Sequence, residues 1–231
     1  MSSVFRHSIA PYGERGWIAR LHDVDDEIAA ALYVNAVADA LRMRAGVTDS
    51  VAGVDSLVIR VDPALAALAA TYDWLTEALR STPATVPAPK NKFEIPVCYG
   101  GEYGADLDDL GKRASLSSEQ LIAIHTARPY RVLTVGFAPG FAYLGPLDEA
   151  LRMSRLETPR PRVAAGSVGV AGGMTGVYPL ASPGGWRIIG RTPVKLFHSK
   201  AGDPFKFSPG DEVRFIPISA EKFEKIADAQ Q

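Results

Sequence analysis

The segment GFAPGFAYLG, residues 136–145, and the segment AAGSVGVAGGMTGVYP, residues 164–179, carry the clearest structural signal in the chain. In both segments, short apolar runs are interrupted by glycine every few residues. Eleven of the 21 glycines lie between residues 136 and 190. Glycine at this density is typical of tight turns between short strands. Many short strands at close spacing predict a β-barrel or a β-sandwich.

The β-rich pattern extends on both sides of this stretch and covers residues 90–231. Apolar and polar residues alternate over residues 93–99, which predicts a half-buried strand. Pro96 within it predicts that this strand lies at a sheet edge or begins at a bulge, because proline has no amide hydrogen to donate. Ser117, with Gln120 three residues later, forms a capping-box pattern that predicts the start of a helix.

The first part of the chain alternates helix and strand signals. Apolar residues at helical spacing run from Ala29 to Leu41, and residues 56–61 alternate as a half-buried strand does. Asp62 followed by Pro63 predicts a second helix beginning there, because aspartate is a good cap and proline suits the first helical position. This part therefore reads as a small α+β unit with helices covering one side of a sheet.

Three prolines separate the two patterns. Pro83, Pro87 and Pro89 lie close together, and neither a helix nor a central strand continues through such spacing. We therefore expect an α+β fold class with two domains, a small N-terminal α+β domain of residues 1–89 and a β-rich domain of residues 90–231.

Composition limits the classes of function. The net charge of −1 gives no overall field that would attract nucleic acid or an anionic membrane. A single cysteine, Cys98, cannot form an internal disulfide, so the fold does not require an oxidising compartment. The first ten residues do not resemble a signal peptide, and no run approaches the roughly 20 apolar residues that span a bilayer. We expect a cytoplasmic protein with neither membrane nor nucleic-acid partners.

The opening segments recur, with others, in a known family. GFAPGFAYLG is similar to the motif GFxPGFxYLG, and residues 158–173, TPRPRVAAGSVGVAGG, are similar to TPRxxVPAGSVGIAGG. Residues 99–107, YGGEYGADL, match YGGxxGPDL, and residues 209–215, PGDEVRF, match PGDxVRF. With order and spacing in agreement from Tyr99 to Phe215, the chain resembles the allophanate hydrolase subunit 1 family. That family also holds the B subunit of bacterial ATP-dependent 5-oxoprolinase.

The resemblance implies a fold and a function. The expected fold is an N-terminal α+β domain followed by a cyclophilin-like β-barrel. The expected function is that of an amide hydrolase subunit, active only with a homologous-fold second subunit (allophanate hydrolase subunit 2-like) and a third subunit. The complex would use ATP to open 5-oxoproline to glutamate. Two alternatives remain open: an inhibitor of a sensor histidine kinase, and a carboxyltransferase component of a biotin-dependent urea carboxylase-like system.

Candidate site residues follow from the residues and from the resemblance. His125 is the candidate catalytic base, because imidazole titrates near neutral pH; the alternative is a hydrogen-bonded core histidine. Met174 stands where the family usually has glutamine, and a thioether cannot replace the donors and acceptor of an amide. The candidate substrate-binding residues are Phe141, Tyr143, Arg160, Arg162, Gly166, Ser167, Met174, Thr175 and Tyr178.

The chemistry expected of these residues is anion binding. Arginine beside backbone amides exposed by glycine is suited to a carboxylate or a phosphate, and the stretch also holds Arg155, Arg187 and Arg191. Ser167 is expected to donate a hydrogen bond and not to act as a nucleophile, because its surroundings lack the pattern G-x-S-x-G.

Several motifs are missing from the sequence. Gly111-Lys112 lacks the upstream glycine and the following Ser or Thr of a phosphate-binding loop. There is no H-E-x-x-H and no pair of cysteines to suggest a metal site. We therefore expect no metal, and ATP only at the level of the complex.

Overall fold

The computed structural model describes residues 5–197 and 206–229. The chain divides into two compact units, Met1–Ala88 and Pro89–Gln231, and the division falls within the proline-rich segment.

The first unit is a four-stranded antiparallel sheet with two helices. Its strand order is β1-β2-β4-β3. The elements are β1 (His7–Pro11), β2 (Gly16–Leu21), α1 (Glu27–Arg42), β3 (Val47–Ala52), β4 (Ser56–Val61) and α2 (Leu68–Ser81).

Alternation along the strands builds the core of this unit. Leu57 and Ile59 of β4 are buried in the core shared with the helices, and Val61 on the same face is also buried, whereas the residues between them are more exposed. Asp26 caps α1 by accepting a hydrogen bond from the amide of Ala29 at 2.9 Å. Thus the helical spacing of residues 29–41 and the strand at 56–61 are confirmed.

The predicted start of the second helix at Asp62-Pro63 is wrong. α2 begins at Leu68, and no side chain caps it. The carboxylate of Asp62 instead accepts from the amide of Ala64 at 2.9 Å, and its carbonyl accepts from Ala66 at 3.0 Å. Asp62 therefore closes an isolated turn, and the chain is redirected before the helix begins.

The second unit is built on a closed seven-stranded barrel in the order β10-β7-β6-β13-β5-β12-β9. The strand pairs are antiparallel, except that β13 runs parallel to β5. Its strands are β5 (Lys92–Tyr99), β6 (Tyr130–Val135), β7 (Ala142–Gly145), β9 (Ser167–Ala171), β10 (Met174–Val177), β12 (Arg187–Arg191) and β13 (Glu212–Pro217).

Smaller elements cover the barrel. A short hairpin-like sheet pairs β8 with β11. These elements are α3 (Leu107–Ala114), α4 (Ser118–Thr126), a 3-10 turn (Glu149–Leu151), β8 (Arg160–Val163), β11 (Ser182–Gly184) and α5 (Ala220–Asp228). The predicted α+β fold class with a β-barrel is confirmed, and so is the capping box of Ser117 and Gln120 at the start of α4.

Pro96 lies in a strand that is internal to the barrel and not an edge strand, but its own position is paired on one side only, with β13. β5 lies between β13 and β12 in the closed barrel. However, β12 pairs with β5 only at Cys98 and Tyr99. The segment around Pro96 needs no amide donor on that side, and this is how a proline is tolerated in an internal strand.

Two glycines in the barrel differ in what a side chain would meet. Gly166 has a φ of +82°, and a Cβ there would lie 2.3 Å from the carbonyl oxygen of Thr192. Gly172 has a φ of +56°, but a Cβ there would meet nothing within 4 Å. Gly166 is therefore required by both backbone conformation and space, and Gly172 by conformation alone.

This pair generates a stability prediction. Gly172→Ala should lower the free energy of unfolding by about 1 kcal/mol, the cost of a left-handed backbone for a residue with a Cβ. Gly166→Ala should lower it by about 3 kcal/mol, because β12 must also shift to accommodate the new methyl group. Urea denaturation of both variants measures the difference. Equal losses would show that the close approach of Thr192 is not limiting.

Candidate functional site

The barrel wall separates the candidate residues into two groups. Strand alternation along β10 turns Thr175 into the barrel, where it contacts His125, and turns Met174 outward against a cluster of aromatic side chains. Phe141, Tyr143 and Tyr178 belong to that outer cluster. The structure thus brings the expected aromatic wall together but places the candidate base on the opposite side of the wall.

His125 lies in the barrel interior and has no solvent exposure. It projects from α4 and stacks on Phe215, with ring centroids 4.7 Å apart. Its Nδ1 lies 2.8 Å from the hydroxyl of Tyr99, and its Nε2 lies 3.0 Å from the hydroxyl of Thr175. The hydroxyl of Tyr130 donates to the His125 carbonyl oxygen at 2.9 Å.

The directions of these hydrogen bonds fix the tautomer. The Thr175 hydroxyl donates its proton to the carbonyl oxygen of Gly169 at 3.0 Å, so it must accept from Nε2 of His125. Nδ1 is then unprotonated and accepts from the hydroxyl of Tyr99. The hydrogen-bond network therefore assigns a neutral imidazole with both nitrogens occupied.

Burial lowers the pKa of His125 to about 3, because the charged imidazolium would lose its hydration. Burial likewise raises the pKa of Tyr99 well above its ordinary value. The assignment of His125 as a catalytic base stays a prediction. Its surroundings favour the alternative, a core histidine that ties α4 to the barrel wall.

The outer cluster consists of Phe141, Tyr143, Tyr178 and Trp186, which we call the aromatic cluster. Phe141 is at its centre, with ring centroids 4.9 Å from Tyr143, 5.2 Å from Tyr178 and 5.4 Å from Trp186, each edge to face. Phe141 and Tyr178 are each only 1% exposed. Tyr143 is half-buried and is the member with the most accessible surface. Phe141 and Tyr178 therefore act through packing, and Tyr143 and Met174 present the surface.

Arg160 is held at the rim of this region by Asp106. The Nη2 of Arg160 donates to Oδ1 of Asp106 at 2.7 Å, while Oδ2 accepts from the backbone amide of Ile188 at 2.6 Å. The Asp106 amide in turn donates to the Ile188 carbonyl oxygen at 2.8 Å. Asp106 is thereby fixed to β12, and it fixes the guanidinium of Arg160. The Arg160 side chain remains 32% exposed, and its Nη1 is buried without a hydrogen-bond partner among the described residues.

The other arginines of this region differ in whether their side chains are already bound to groups of the protein. Arg187 is buried and donates to the Ser154 carbonyl oxygen at 3.1 Å and to Asp109 at 2.9 Å. Arg191 donates to the Ala165 carbonyl oxygen at 2.9 Å. Arg155 and Arg162 are exposed, and neither forms an ion pair within the described residues. The expected group of five arginines is therefore not one site, because two of its members serve the fold.

Gly166 and Ser167 form part of the strand connections. The Gly166 amide donates to the Tyr178 carbonyl oxygen at 2.7 Å, and the Tyr178 amide donates to the Ser167 carbonyl oxygen at 2.9 Å. Ser167 is buried, with 4% exposure. The Gly166 amide is therefore not available to a ligand.

The structure also shows residues that sequence reasoning did not single out. Asp106 lies within the matched YGGEYGADL motif, so the motif was a signal, but its partner Arg160 is 54 residues away. Trp186 lies in the glycine-rich stretch between residues 136 and 190 and completes the aromatic cluster. Within residues 5–197 and 206–229, no group of three or more His, Cys, Asp or Glu side chains is placed to hold a metal ion. In that same part of the chain, no helix has the length and apolar character needed to cross a membrane.

Comparison with known proteins adds four likenesses, two of sequence and two of solved structures. Residues 7–207 match the protein family described as "Carboxyltransferase domain, subdomain C and D". Over 130 residues the chain is 48% identical to the B subunit of 5-oxoprolinase from Bacillus subtilis (strain 168), an alignment that covers 56% of this chain and 54% of that protein. The chain thus matches about half the length of this curated relative.

Two solved structures share the architecture. A conserved uncharacterized protein from Pyrococcus horikoshii is 36% identical, with 94% of this chain and 100% of that chain covered and a TM-score of 0.57. The urea carboxylase of Kluyveromyces lactis is 18% identical, with 97% of this chain and 23% of that chain covered and a TM-score of 0.77. The second likeness is one of fold.

The buried imidazole generates a prediction about pH. The folded pKa of His125, about 3, lies below the unfolded value of 6.5, so the unfolded chain takes up a proton first as pH falls. Stability contributed by the neutral ring is complete above pH 6.5 and is lost as pH falls towards 3. Between pH 8 and pH 5 this amounts to about 2 kcal/mol.

Urea unfolding of the wild type and of His125→Gln across this range isolates the effect. The variant should be less stable at pH 8, because Tyr99 and Thr175 lose a shared partner, and its stability should fall less steeply with pH. Parallel stability curves for the two proteins would rule out a buried neutral imidazole.

The ion pair at the rim generates a second prediction. Asp106→Ala, Arg160→Ala and the double variant should show a coupling energy of about 1 to 2 kcal/mol in a double-mutant cycle, because the pair is only partly screened by water. Asp106→Ala should be the more destabilising single change, since it also removes the acceptor for the Ile188 amide. Additive losses would mean that the two side chains do not interact in solution.

Proposed function

The chain belongs to the family of carboxyltransferase domains with subdomains C and D, and from this premise we propose that it is a B-type subunit of an ATP-dependent 5-oxoprolinase complex. The likeness to the B subunit of the Bacillus subtilis 5-oxoprolinase supports this choice within the family. The reaction, the substrate and the partner subunits are all part of the proposal, since the alignment covers 54% of that relative.

The observation that carries the proposal is the Arg160–Asp106 pair beside the aromatic cluster. Asp106 clamps the guanidinium through Nη2, while Nη1 is buried and has no hydrogen-bond partner in the described part of the chain, so a charged donor is oriented before any ligand arrives. A charge-assisted hydrogen bond from a guanidinium to a carboxylate is roughly twice as strong as one between neutral groups. We propose that Arg160 binds the carboxylate of a small amide acid. Tyr143 would form the adjoining apolar wall, and Arg162 would supply a second positive charge.

The proposed chemistry is activation of a lactam. Phosphoryl transfer from ATP to the lactam carbonyl oxygen releases ADP and opens the carbon to attack by water. The ring C–N bond then breaks as the nitrogen takes up a proton, and a second water displaces phosphate from the resulting acyl phosphate to give glutamate. ATP enters at the level of the complex, and no residue of this chain is assigned to it. The part of this chain is to bind and orient the substrate next to a homologous-fold second subunit and a third subunit.

Met174 bears on substrate choice. Its side chain packs against the aromatic cluster and is half-buried at the surface. A thioether in place of the family's usual glutamine removes two donors and an acceptor from this surface. If the substrate of this protein is 5-oxoproline, its ring amide must find these partners elsewhere in the complex.

The other candidate functions make different predictions. A carboxyltransferase component requires a biotin carboxylase and a biotin carrier for activity. A kinase inhibitor requires a sensor kinase as its partner, and its activity would survive loss of Arg160. Release of glutamate from 5-oxoproline that needs ATP but no biotin carboxylase, carrier or kinase would favour the hydrolase subunit over both.

We expect the chain, co-purified with its second and third subunits, to release glutamate from 5-oxoproline only when ATP is supplied. Arg160→Ala should lower kcat/KM by about 10- to 100-fold, because one charge-assisted hydrogen bond is lost. Arg20→Ala, which removes an exposed arginine of β2, is the matched control and should leave the rate unchanged. Coupled assays of glutamate and ADP measure both.

Two outcomes would count against this assignment. An intact complex that releases no glutamate but acts on another amide would show that 5-oxoproline is not the substrate. Met174→Gln would then be tested for gain of 5-oxoproline turnover. Unchanged kinetics in Arg160→Ala would remove this arginine from the substrate site.

A further inference from the structure

Phe137 combines two properties that folding does not explain. It lies in the turn between β6 and β7, has a φ of +69° and is 64% exposed. A left-handed backbone is rare for a bulky side chain because its Cβ crowds the neighbouring carbonyl group. An exposed ring also gains little from burial, so neither the backbone nor the side chain of Phe137 is in a favourable state.

The turn around Phe137 is rigid. The Gly136 amide donates to the Phe141 carbonyl oxygen at 3.0 Å, and the Phe141 amide donates to the Ala138 carbonyl oxygen at 3.0 Å. The Ala138 amide donates to the Gly136 carbonyl oxygen at 2.8 Å, directly across Phe137. These bonds hold Phe137 in its strained conformation. The backbone therefore fixes the direction in which the ring projects from the surface.

The Phe137 ring packs against the aromatic cluster. Its centroid lies 5.5 Å from Phe141 and 6.4 Å from Tyr178, both edge to face. Because Phe141 and Tyr178 are buried, this base is fixed. A projecting aromatic ring on a fixed base has the form of the anchors that dominate protein–protein interfaces, which insert into an apolar pocket of the partner.

The surface beside this ring is positive. Arg155 is exposed, and the amide of the next residue, Leu156, donates to the Gly185 carbonyl oxygen at 2.8 Å. This bond places the segment that carries Arg155 beside Trp186 of the aromatic cluster. No carboxylate among the described residues forms an ion pair with Arg155. Residues 152–162, RMSRLETPRPR, hold four arginines and one glutamate. The surface that fits here carries carboxylates around an apolar pocket, because interfaces pair opposite charges at their rims.

We infer that Phe137 is the anchor, and Arg155 the charged rim, of the interface with the second subunit of the complex, which offers an apolar pocket bordered by carboxylates. This inference rests on the proposed function and adds to it the surface by which the subunits assemble. It gives a reason for the strain, since the ring is held in place before association and loses little freedom on binding.

The test uses Phe137→Gly, because glycine accepts the left-handed backbone and removes only the ring. With the purified allophanate hydrolase subunit 2-like partner as probe, the Kd should rise by about 30-fold or more. The melting temperature should stay within about 3 °C of the wild type, since relief of strain offsets the lost ring contacts. Phe137→Asn, which also tolerates this backbone, should lose affinity equally, and Phe137→Trp should regain most of it.

Ser115→Gly is the matched control. Ser115 also has a positive φ, +56°, so the change relieves the same kind of strain without removing a ring. It should leave the Kd unchanged. Arg155→Glu should slow association and reverse the dependence of the association rate on salt, because the rim would then repel the partner's carboxylates.

The outcomes separate the interface from the function. If wild-type chain and partner form no complex, the subunit proposal fails and the interface fails with it. If Phe137→Gly binds the partner like the wild type, only the interface is overturned. A variant that binds normally but has a raised KM for 5-oxoproline would place Phe137 in the substrate site, which also overturns the interface.

Discussion

The parallel pairing of β5 with β13 is the constraint on which the second unit depends. It joins the first and the last described strands of the barrel through six consecutive residue pairs, from Glu212 opposite Lys92 to Pro217 opposite Val97. Buried Asp211 secures the start of this pairing by accepting from the amide and side chain of Asn91 and from the amide of Ser208. The barrel closes only if these distant segments meet, so every feature of its two surfaces depends on this contact.

Closure of the barrel gives its wall an inner and an outer surface with different chemistry. The interior holds a fully satisfied chain of hydrogen bonds from Tyr99 through His125 to Thr175, in which each hydroxyl and ring nitrogen has a partner. Such a network specifies how α4 packs, but it offers nothing to a ligand. The outer surface carries the aromatic cluster and arginines whose charges are only partly compensated. Binding is therefore expected on the outside of the barrel, while the interior maintains its shape.

The sequence predicted what depends on local pattern. Glycine spacing indicated the short strands, Ser117 and Gln120 indicated the start of α4, and the motifs identified which residues belong together in a family. Contacts between distant segments were not predictable in this way. Pro96 is tolerated inside a closed barrel because β12 pairs with β5 only at later residues. Asp106 pairs with an arginine 54 residues away. His125 was placed at a site because its residue type suggests catalysis, whereas its burial is decided by the fold of the whole barrel.

Positive φ values show how a structural cost can be assigned to folding or to function. Among the described residues, Asp23, Ser115 and Phe137 are the non-glycine residues with this conformation. Ser115 ends α3, and its amide donates to the Gly111 carbonyl oxygen, so its conformation serves the helix end. Asp23 is a residue type that tolerates this region, and it pairs with Arg6. Phe137 ends no helix and is of an unfavourable type; it is the central residue of the three-residue turn closed by the Ala138 amide on the Gly136 carbonyl oxygen, and we assign the cost of this turn to the proposed interface.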